Sequence, residues 1–143
     1  MGKRYGISIS AGEEKVTLVF SQLTFRDRNR ITQASTSYKG GKVVLDMGLS
    51  CFYTLKYGLK EIKGFQNDKG EPYKLEFEKG TPELTDRCVD EILSCNISDQ
   101  IIYAARELGA EIPDKILHPL TNQPLEGVEI IPPEKLRGSL EKK

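Results

Sequence analysis

Near the start of the chain, apolar and polar residues alternate twice in quick succession. Tyr5, Ile7 and Ile9 are separated by Gly6 and Ser8, and Val16, Leu18 and Phe20 are separated by Thr17 and Val19. An alternation of period two sends every second side chain to one face of a pleated strand. Residues 5 to 24 therefore predict two strands of a β-hairpin with one buried face. Ala11-Gly12-Glu13-Glu14 lies between them and reads as a turn longer than two residues, in which Gly12 supplies a positive φ.

The pattern changes at Thr24. This residue is a good helix N-cap, and Arg26-Asp27-Arg28-Asn29-Arg30-Ile31 carries charge at almost every position, which predicts a short, mostly solvated helix. Lys39-Gly40-Gly41 reads as a hinge after it. From Lys42 to about Lys60, Val44, Gly48, Cys51, Phe52, Leu55 and Leu59 recur at steps of three and four, so this stretch is expected to be one long central helix. Lys56, Lys60 and Lys63 fall on another face at the same spacing and are expected to be solvated.

A second, shorter hairpin is expected next. Asn67-Asp68-Lys69-Gly70 is turn chemistry, Gly64-Phe65 precedes it, and Tyr73, Leu75 and Phe77 alternate with Lys74, Glu76 and Glu78. A helix follows, capped at Thr81 or Thr85, with Leu84, Cys88, Ile92 and Cys95 on its inner face and Asn96 at its end. Another starts at Ser98-Asp99, turns Ile101, Ile102, Ala105 and Leu108 inward, and stops at Gly109.

From Ile112 the chain is different in kind. Pro113, Pro119, Pro124, Pro132 and Pro133 are spaced so that no helix or ladder strand of ordinary length is expected between them. Yet Ile116, Leu117, Leu120, Leu125, Val128, Ile130 and Ile131 are too many apolar groups for a disordered linker. An extended arm that docks by these side chains fits both facts, with a charged end from Leu136 to Lys143 that frays. The fold class is thus α+β: an N-terminal hairpin, a helical core, a short second hairpin and a Pro-rich C-terminal arm. Residues 1–111 form one domain, and residues 112–143 form the arm and tail. On this reading, deleting residues 112 to 135 leaves the body folded.

Length supports one domain: 143 residues, 38% of them apolar, suffice for one ordinary core. No apolar run approaches the roughly 20 residues of a membrane span. Met1-Gly2-Lys3-Arg4-Tyr5-Gly6 opens without the apolar stretch of a secretory signal, so neither membrane nor export is expected. Lys and Arg together equal Asp and Glu at 21 each, which argues against a histone-like or acidic-tail role. The balance is uneven along the chain, however. Residues 1 to 44 carry eight basic and three acidic side chains, and residues 45 to 143 carry thirteen and eighteen. Arg26, Arg28 and Arg30 are candidate phosphate or partner contacts in the basic half. Asp27 within the cluster and Phe25 as the sole nearby aromatic weigh against nucleic acid.

No catalytic constellation emerges. Cys51, Cys88 and Cys95 match no zinc or redox spacing and read as buried free thiols in a reducing compartment. His118 is the single histidine and has no nucleophile partner within its segment. Gly40-Gly41-Lys42 lacks the spacing of a phosphate-binding loop. Asp86, Asp90 and Glu91 near Arg87 suit a helix start rather than acid–base chemistry. The expectation is a protein that is not an enzyme and uses neither cofactor nor metal.

The run Tyr57-Gly58-Leu59-Lys60-Glu61-Ile62-Lys63-Gly64-Phe65, followed by Asp68-Lys69-Gly70-Glu71-Pro72-Tyr73, resembles small tail-module proteins of long-tailed bacteriophages, the tail assembly chaperone-like group. Leu23-Thr24 before a charged helix and Leu84-Thr85 before a short helix stand in the same order as in that group. Where the group usually carries a tryptophan this chain has none, and Ile62 or Phe65 would take its packing place. The resemblance implies a phage protein that keeps a tail component soluble in the host bacterial cytoplasm until assembly. Its partner would be a phage structural protein, with homo-oligomerisation as a further contact. Leu117, Leu120, Leu125, Val128, Ile130 and Ile131 of the arm are the candidate partner-binding residues, since an apolar arm can exchange between its own body and a partner. The alternatives are a virion tail or connector component, or a nucleic-acid-associated phage regulator using the basic half.

Overall fold

In the computed structural model, which describes residues 3–67 and 69–136, the N-terminal alternation forms a hairpin of β1 (Arg4–Ala11) and β2 (Glu14–Ser21). Ala11 pairs with Glu14, so the loop is Gly12-Glu13 alone, shorter than the sequence suggests, with Gly12 at φ 64°. Tyr5, Ile7, Ile9, Val16, Leu18 and Phe20 are all buried on one face. Two further strands, β5 (Leu59–Lys63) and β6 (Val128–Ile131), flank the hairpin, giving a four-stranded antiparallel sheet ordered β5-β2-β1-β6. The chain is an α+β protein.

The helices α2 (Met47–Gly58), α3 (Asp86–Leu93) and α4 (Ser98–Arg106) cover the inner face of this sheet. Leu55, Cys88, Val89, Ile92, Ile101 and Ala104 meet the strand residues in one core. Thr85 is the cap that starts α3, its hydroxyl accepting from the backbone N–H of Cys88 at 3.2 Å. α1 (Phe25–Ser35) begins in a capping box between Thr24 and Asp27 and buries only Ile31 and Ser35. It attaches to the body through a small cluster of Ile31, Leu23 and Tyr57.

The long central helix is shorter than its periodicity predicts. Lys42–Leu45 is a strand, β4, paired with β3 (Thr36–Lys39), and Leu59–Lys63 is β5 at the edge of the main sheet. Gly40 and Gly41 have φ of 56° and 77°, so they form a two-residue hairpin turn instead of a hinge. Asp46 then caps α2, accepting from the Leu49 N–H at 3.0 Å. The period of three and four holds over α2 and is continued by chance into β4 and β5 at its two ends.

The expected second hairpin is reduced to a tight turn. Gln66 bridges Pro72, Asn67 N–H donates to the Glu71 carbonyl, and Tyr73 N–H donates to the Phe65 carbonyl; Asp68 of this turn lies outside the described residues. Beyond it Phe77 bridges Leu84, Glu78 N–H donates to Glu83, and Glu76 accepts from Thr85 N–H. Pro72, without an N–H, and this second set of partners divert the strand from a ladder with residues 64–66.

The Pro-rich arm folds onto its own body. Ile116 is buried in the core, Leu125 N–H donates to the Ile116 carbonyl, and β6 (Val128–Ile131) pairs with β1. Pro132 and Pro133 fall just after the strand, where a missing N–H costs no ladder bond. Leu136 is buried against Gly6 on the outer face, where Ser8 and Val19 are buried as well. The expected fraying from Leu136 to Lys143 does not hold at Leu136, which is buried, and residues 137–143 lie outside the described residues.

A candidate protein-binding surface on the inserted hairpin

Between α1 and α2 the chain makes an excursion with its own two-stranded sheet, in the order β3-β4. Thr36 pairs with Leu45, Ser37 with Val44, Tyr38 with Val43, and Lys39 with Lys42. The base is tied firmly. Asp46 N–H donates to the Ser35 carbonyl at 2.7 Å, and the buried Ser35 hydroxyl donates to the Ile31 carbonyl at 2.6 Å. Beyond that base, little covers the hairpin. Tyr38 is 79% exposed, Val43 63%, Leu45 51% and Val44 40%, with Met47 and Leu49 of α2 beside the base at 45% and 41%.

Such exposure decides how the hairpin should be read. Scattered exposed apolar residues are ordinary, but a run of them on one protruding element marks an interaction surface. An isolated two-stranded ribbon is also marginal in water, and a third strand or an apolar cover stabilises it. Lys39 and Lys42 flank its tip, and within residues 36–45 there is no carboxylate. Among the described residues neither lysine forms an ion pair.

The candidate arginines are divided by the fold. Arg30 reaches across to Glu83 with two hydrogen bonds, 3.0 and 3.2 Å, and its guanidinium lies 4.1 Å from the centre of the Tyr57 ring. The hydrogen bond to Glu83 holds the Arg30 pKa up, and the same bond holds the Glu83 carboxyl below its usual range. Arg28 lies over the ring of the exposed Phe25 at 5.8 Å, and Arg26 is exposed. Arg30 is therefore occupied within the chain, and the three do not form one cluster.

The candidate arm residues are also divided. Leu125, Val128 and Ile130 pack against the main core, Leu117 is half-buried and bridges Pro124, and Ile131 lies half-buried beside Gly6. Leu120 alone projects, 89% exposed, at the tip of a tight turn where His118 Nδ1 accepts from the Leu120 N–H.

The lysines expected on a solvated face do other work. Lys56 is buried, and its ammonium donates to the Leu84 carbonyl at 3.0 Å and to Asp86 Oδ1 at 2.7 Å, with Glu78 at 3.5 Å. Burial pulls its pKa down, but the bond and charge of Asp86, aided by Glu78, outweigh that and leave it raised. Lys60 donates to the carbonyls of Tyr57 and Pro82, and burial lowers its pKa.

A cleft of about 920 Å³ opens at one end of the main sheet, floored by Ile9, Val16, Phe65 and Ile97 and rimmed by Lys15 and Arg87. Within it the Tyr73 hydroxyl donates to Glu91 at 3.0 Å and lies 3.4 Å from Cys88 Sγ, and burial raises the Tyr73 pKa. Every buried side-chain nitrogen and oxygen among the described residues has a hydrogen-bond partner, so none is held out for a ligand. Among those residues no group of three or more His, Cys, Asp or Glu is placed to hold a metal, and no helix is long and apolar enough to cross a membrane. The three cysteines are free thiols.

Tyr38, Val43, Val44, Leu45, Met47 and Leu49 are absent from the sequence-derived candidates. Their signal was the Gly-Gly pair between Thr36-Ser37-Tyr38-Lys39 and Lys42-Val43-Val44-Leu45, a two-residue hairpin signature that the helical period of the following residues masked. No family model, no curated protein and no solved structure matches the chain.

Proposed function

We propose that this chain is a non-enzymatic binding protein of the phage tail assembly chaperone type, which holds a tail component through the β3–β4 hairpin in the host cytoplasm before assembly. The observation that carries the reading is the apolar ribbon itself: Tyr38, Val43 and Leu45 stand on one face of a two-stranded sheet and remain exposed among the described residues. A binding protein needs such a surface and no catalytic site. The resemblance of the segments around Tyr57-Gly58-Leu59 and Gly70-Glu71-Pro72 to tail-module proteins supports a phage tail component as the class of partner. The exposed Leu120 is a second contact of the same kind on the arm.

The test is co-expression with phage tail proteins, reading how much of each stays soluble and co-purifies after nuclease treatment. Wild type should retain a tail component. A Tyr38→Ser/Val43→Ser/Leu45→Ser variant, which alters only exposed positions, should lose it. Retention of no tail protein by the wild type overturns the reading. Partners that are lost on nuclease treatment, or on changing Arg26 and Arg28 to Ala, support the nucleic-acid-associated alternative instead.

A further inference from the structure

We infer that the β4 edge of the hairpin is an acceptor for a strand: an extended segment of the partner protein, alternating apolar and acidic residues, adds to Lys42–Leu45 as a third strand. This rests on the binding role proposed above and names the partner's chemistry and mode of attachment. The backbone supplies the first argument. Lys39 and Lys42 flank a two-residue loop and form a hydrogen-bonded pair, so Ser37 and Val44 form the next, and Val43 and Leu45 turn their N–H and C=O groups away from β3. The Asp46-to-Ser35 bond at the base continues the same alternation. Among the described residues no strand pairs with that outer edge.

Exposed edges are normally blunted by charge, proline, a bulge or extreme shortness. β4 is short, four residues, and carries Lys42 at its tip end, but Val43, Val44 and Leu45 follow one another without a proline, a bulge or a further charge. An added strand would bury apolar side chains on the ribbon face and satisfy the open backbone groups, the usual division between specificity and affinity in strand addition. Unpaired lysines beside that edge favour acidic side chains on the incoming segment.

A second copy of this chain fits less well. Two-fold pairing of β4 with itself brings Lys39 and Lys42 of both copies into one sheet with no carboxylate within residues 36–45 to offset them. The acidic segment that does alternate, Tyr73 to Glu78, already uses Tyr73 N–H, the Glu76 carbonyl and Glu78 N–H within its own chain.

The experiment uses the full-length protein and synthetic eight-residue peptides as probes: alternating Val/Glu, alternating Val/Lys, and two Val/Glu versions N-methylated at every second residue, one for each edge of the peptide. Binding is read by fluorescence anisotropy and by amide hydrogen exchange. The Val/Glu peptide should bind at least about tenfold tighter than Val/Lys, and Lys39→Glu/Lys42→Glu should reverse that order. One methylated peptide should lose binding and the other keep it. The Val43 and Leu45 amides should gain protection from exchange, and Val43→Pro, which removes an outward N–H only, should abolish binding. Equal loss with both methylated peptides, no charge preference, or no saturable binding of Val/Glu overturns strand addition. So does a dimer in light scattering that Val43→Pro dissolves, which would assign the edge to a second copy. If tail proteins still co-purify with Val43→Pro, strand addition fails while the binding role stands.

Discussion

Arg30 and Glu83 meet in a two-bonded fork, Nη1 to Oε2 at 3.0 Å and Nη2 to Oε1 at 3.2 Å, and the fork holds α1 to the loop before α3. One basic residue of the first half is thereby neutralised by one acidic residue of the second, so part of the charge asymmetry along the chain closes within the fold. Arg30 also lies over Tyr57, whose ring belongs to the small cluster that anchors α1.

The fork gives the acid limb of stability a direction. Glu83 has a lowered pKa in the folded chain because Arg30 bonds its ionised form, so its contribution is complete above the unfolded carboxyl value, about 4.3, and is lost as pH falls through the folded value. Arg30 is partly solvated, and screening keeps the effect to about 1 kcal/mol or less. Glu83→Gln should cost that much at pH 7 and progressively less as pH falls through the folded value, so urea midpoints of wild type and variant should converge on acidification. A constant gap across that range would show that the fork does not titrate with folding.

Lys56 and Asp86 should respond very unequally to removal, although they share a bond of 2.7 Å. Asp86 is largely solvated, and Asp86→Asn should shift stability by less than about 1 kcal/mol. Lys56→Met keeps the stem but leaves the Leu84 carbonyl without its ammonium donor, a loss of about 1 to 3 kcal/mol. Thermal melts of the two variants make the comparison. Equal losses would mean the salt bridge, and not the carbonyl, is what Lys56 serves.

The difference between what could be read and what could not follows from where the partners lie. The alternation of Tyr5 to Phe20 and the Thr24 cap are local and form where their residues place them, and of the two candidate caps Thr81 and Thr85 the second starts α3. Lys56 has the helical spacing that solvated lysines ordinarily show, and only the arrival of Leu84 and Asp86, about thirty positions later, buries it. Val43 and Val44 suit a helix face or a strand equally, and the turn at Gly40-Gly41 decided the matter. In the arm, composition signalled docking, but β1 as its acceptor depends on which edge of the main sheet was left open. The apolar ribbon was obscured by the same ambiguity at Val43.

Ending the chain at residue 126 should destabilise the body, contrary to the expectation that the arm is dispensable. β6 covers the edge of β1, and Leu136 covers Gly6 and its buried neighbours on the outer face. Losing them opens a strand edge and apolar surface, of the order of 3 kcal/mol with a tendency to aggregate. Urea unfolding and light scattering on the truncated chain test this. An unchanged midpoint and an unchanged mass would return the arm to the status of a detachable tail.

Gly40 and Gly41 should control the hairpin without controlling the fold. Both lie at positive φ, and a Cβ added at either meets nothing within 4 Å, so the cost of a side chain there is purely conformational. Gly40→Val should cost about 1 to 2 kcal/mol locally, because a β-branched residue is strained in the left-handed region. Gly40→Asn should be tolerated, since Asn-Gly suits a turn with both central residues at positive φ. The ribbon forms its own two-stranded sheet apart from the main one, so the loss should remain local. Amide exchange at Lys42 and Val44, whose N–H groups face β3, should accelerate in Gly40→Val and not in Gly40→Asn, while the melting temperature stays within a few degrees of wild type in both. If Gly40→Val lowers the global melting temperature by more than that, the hairpin is part of the cooperative core, and its open edge is a structural element of the fold.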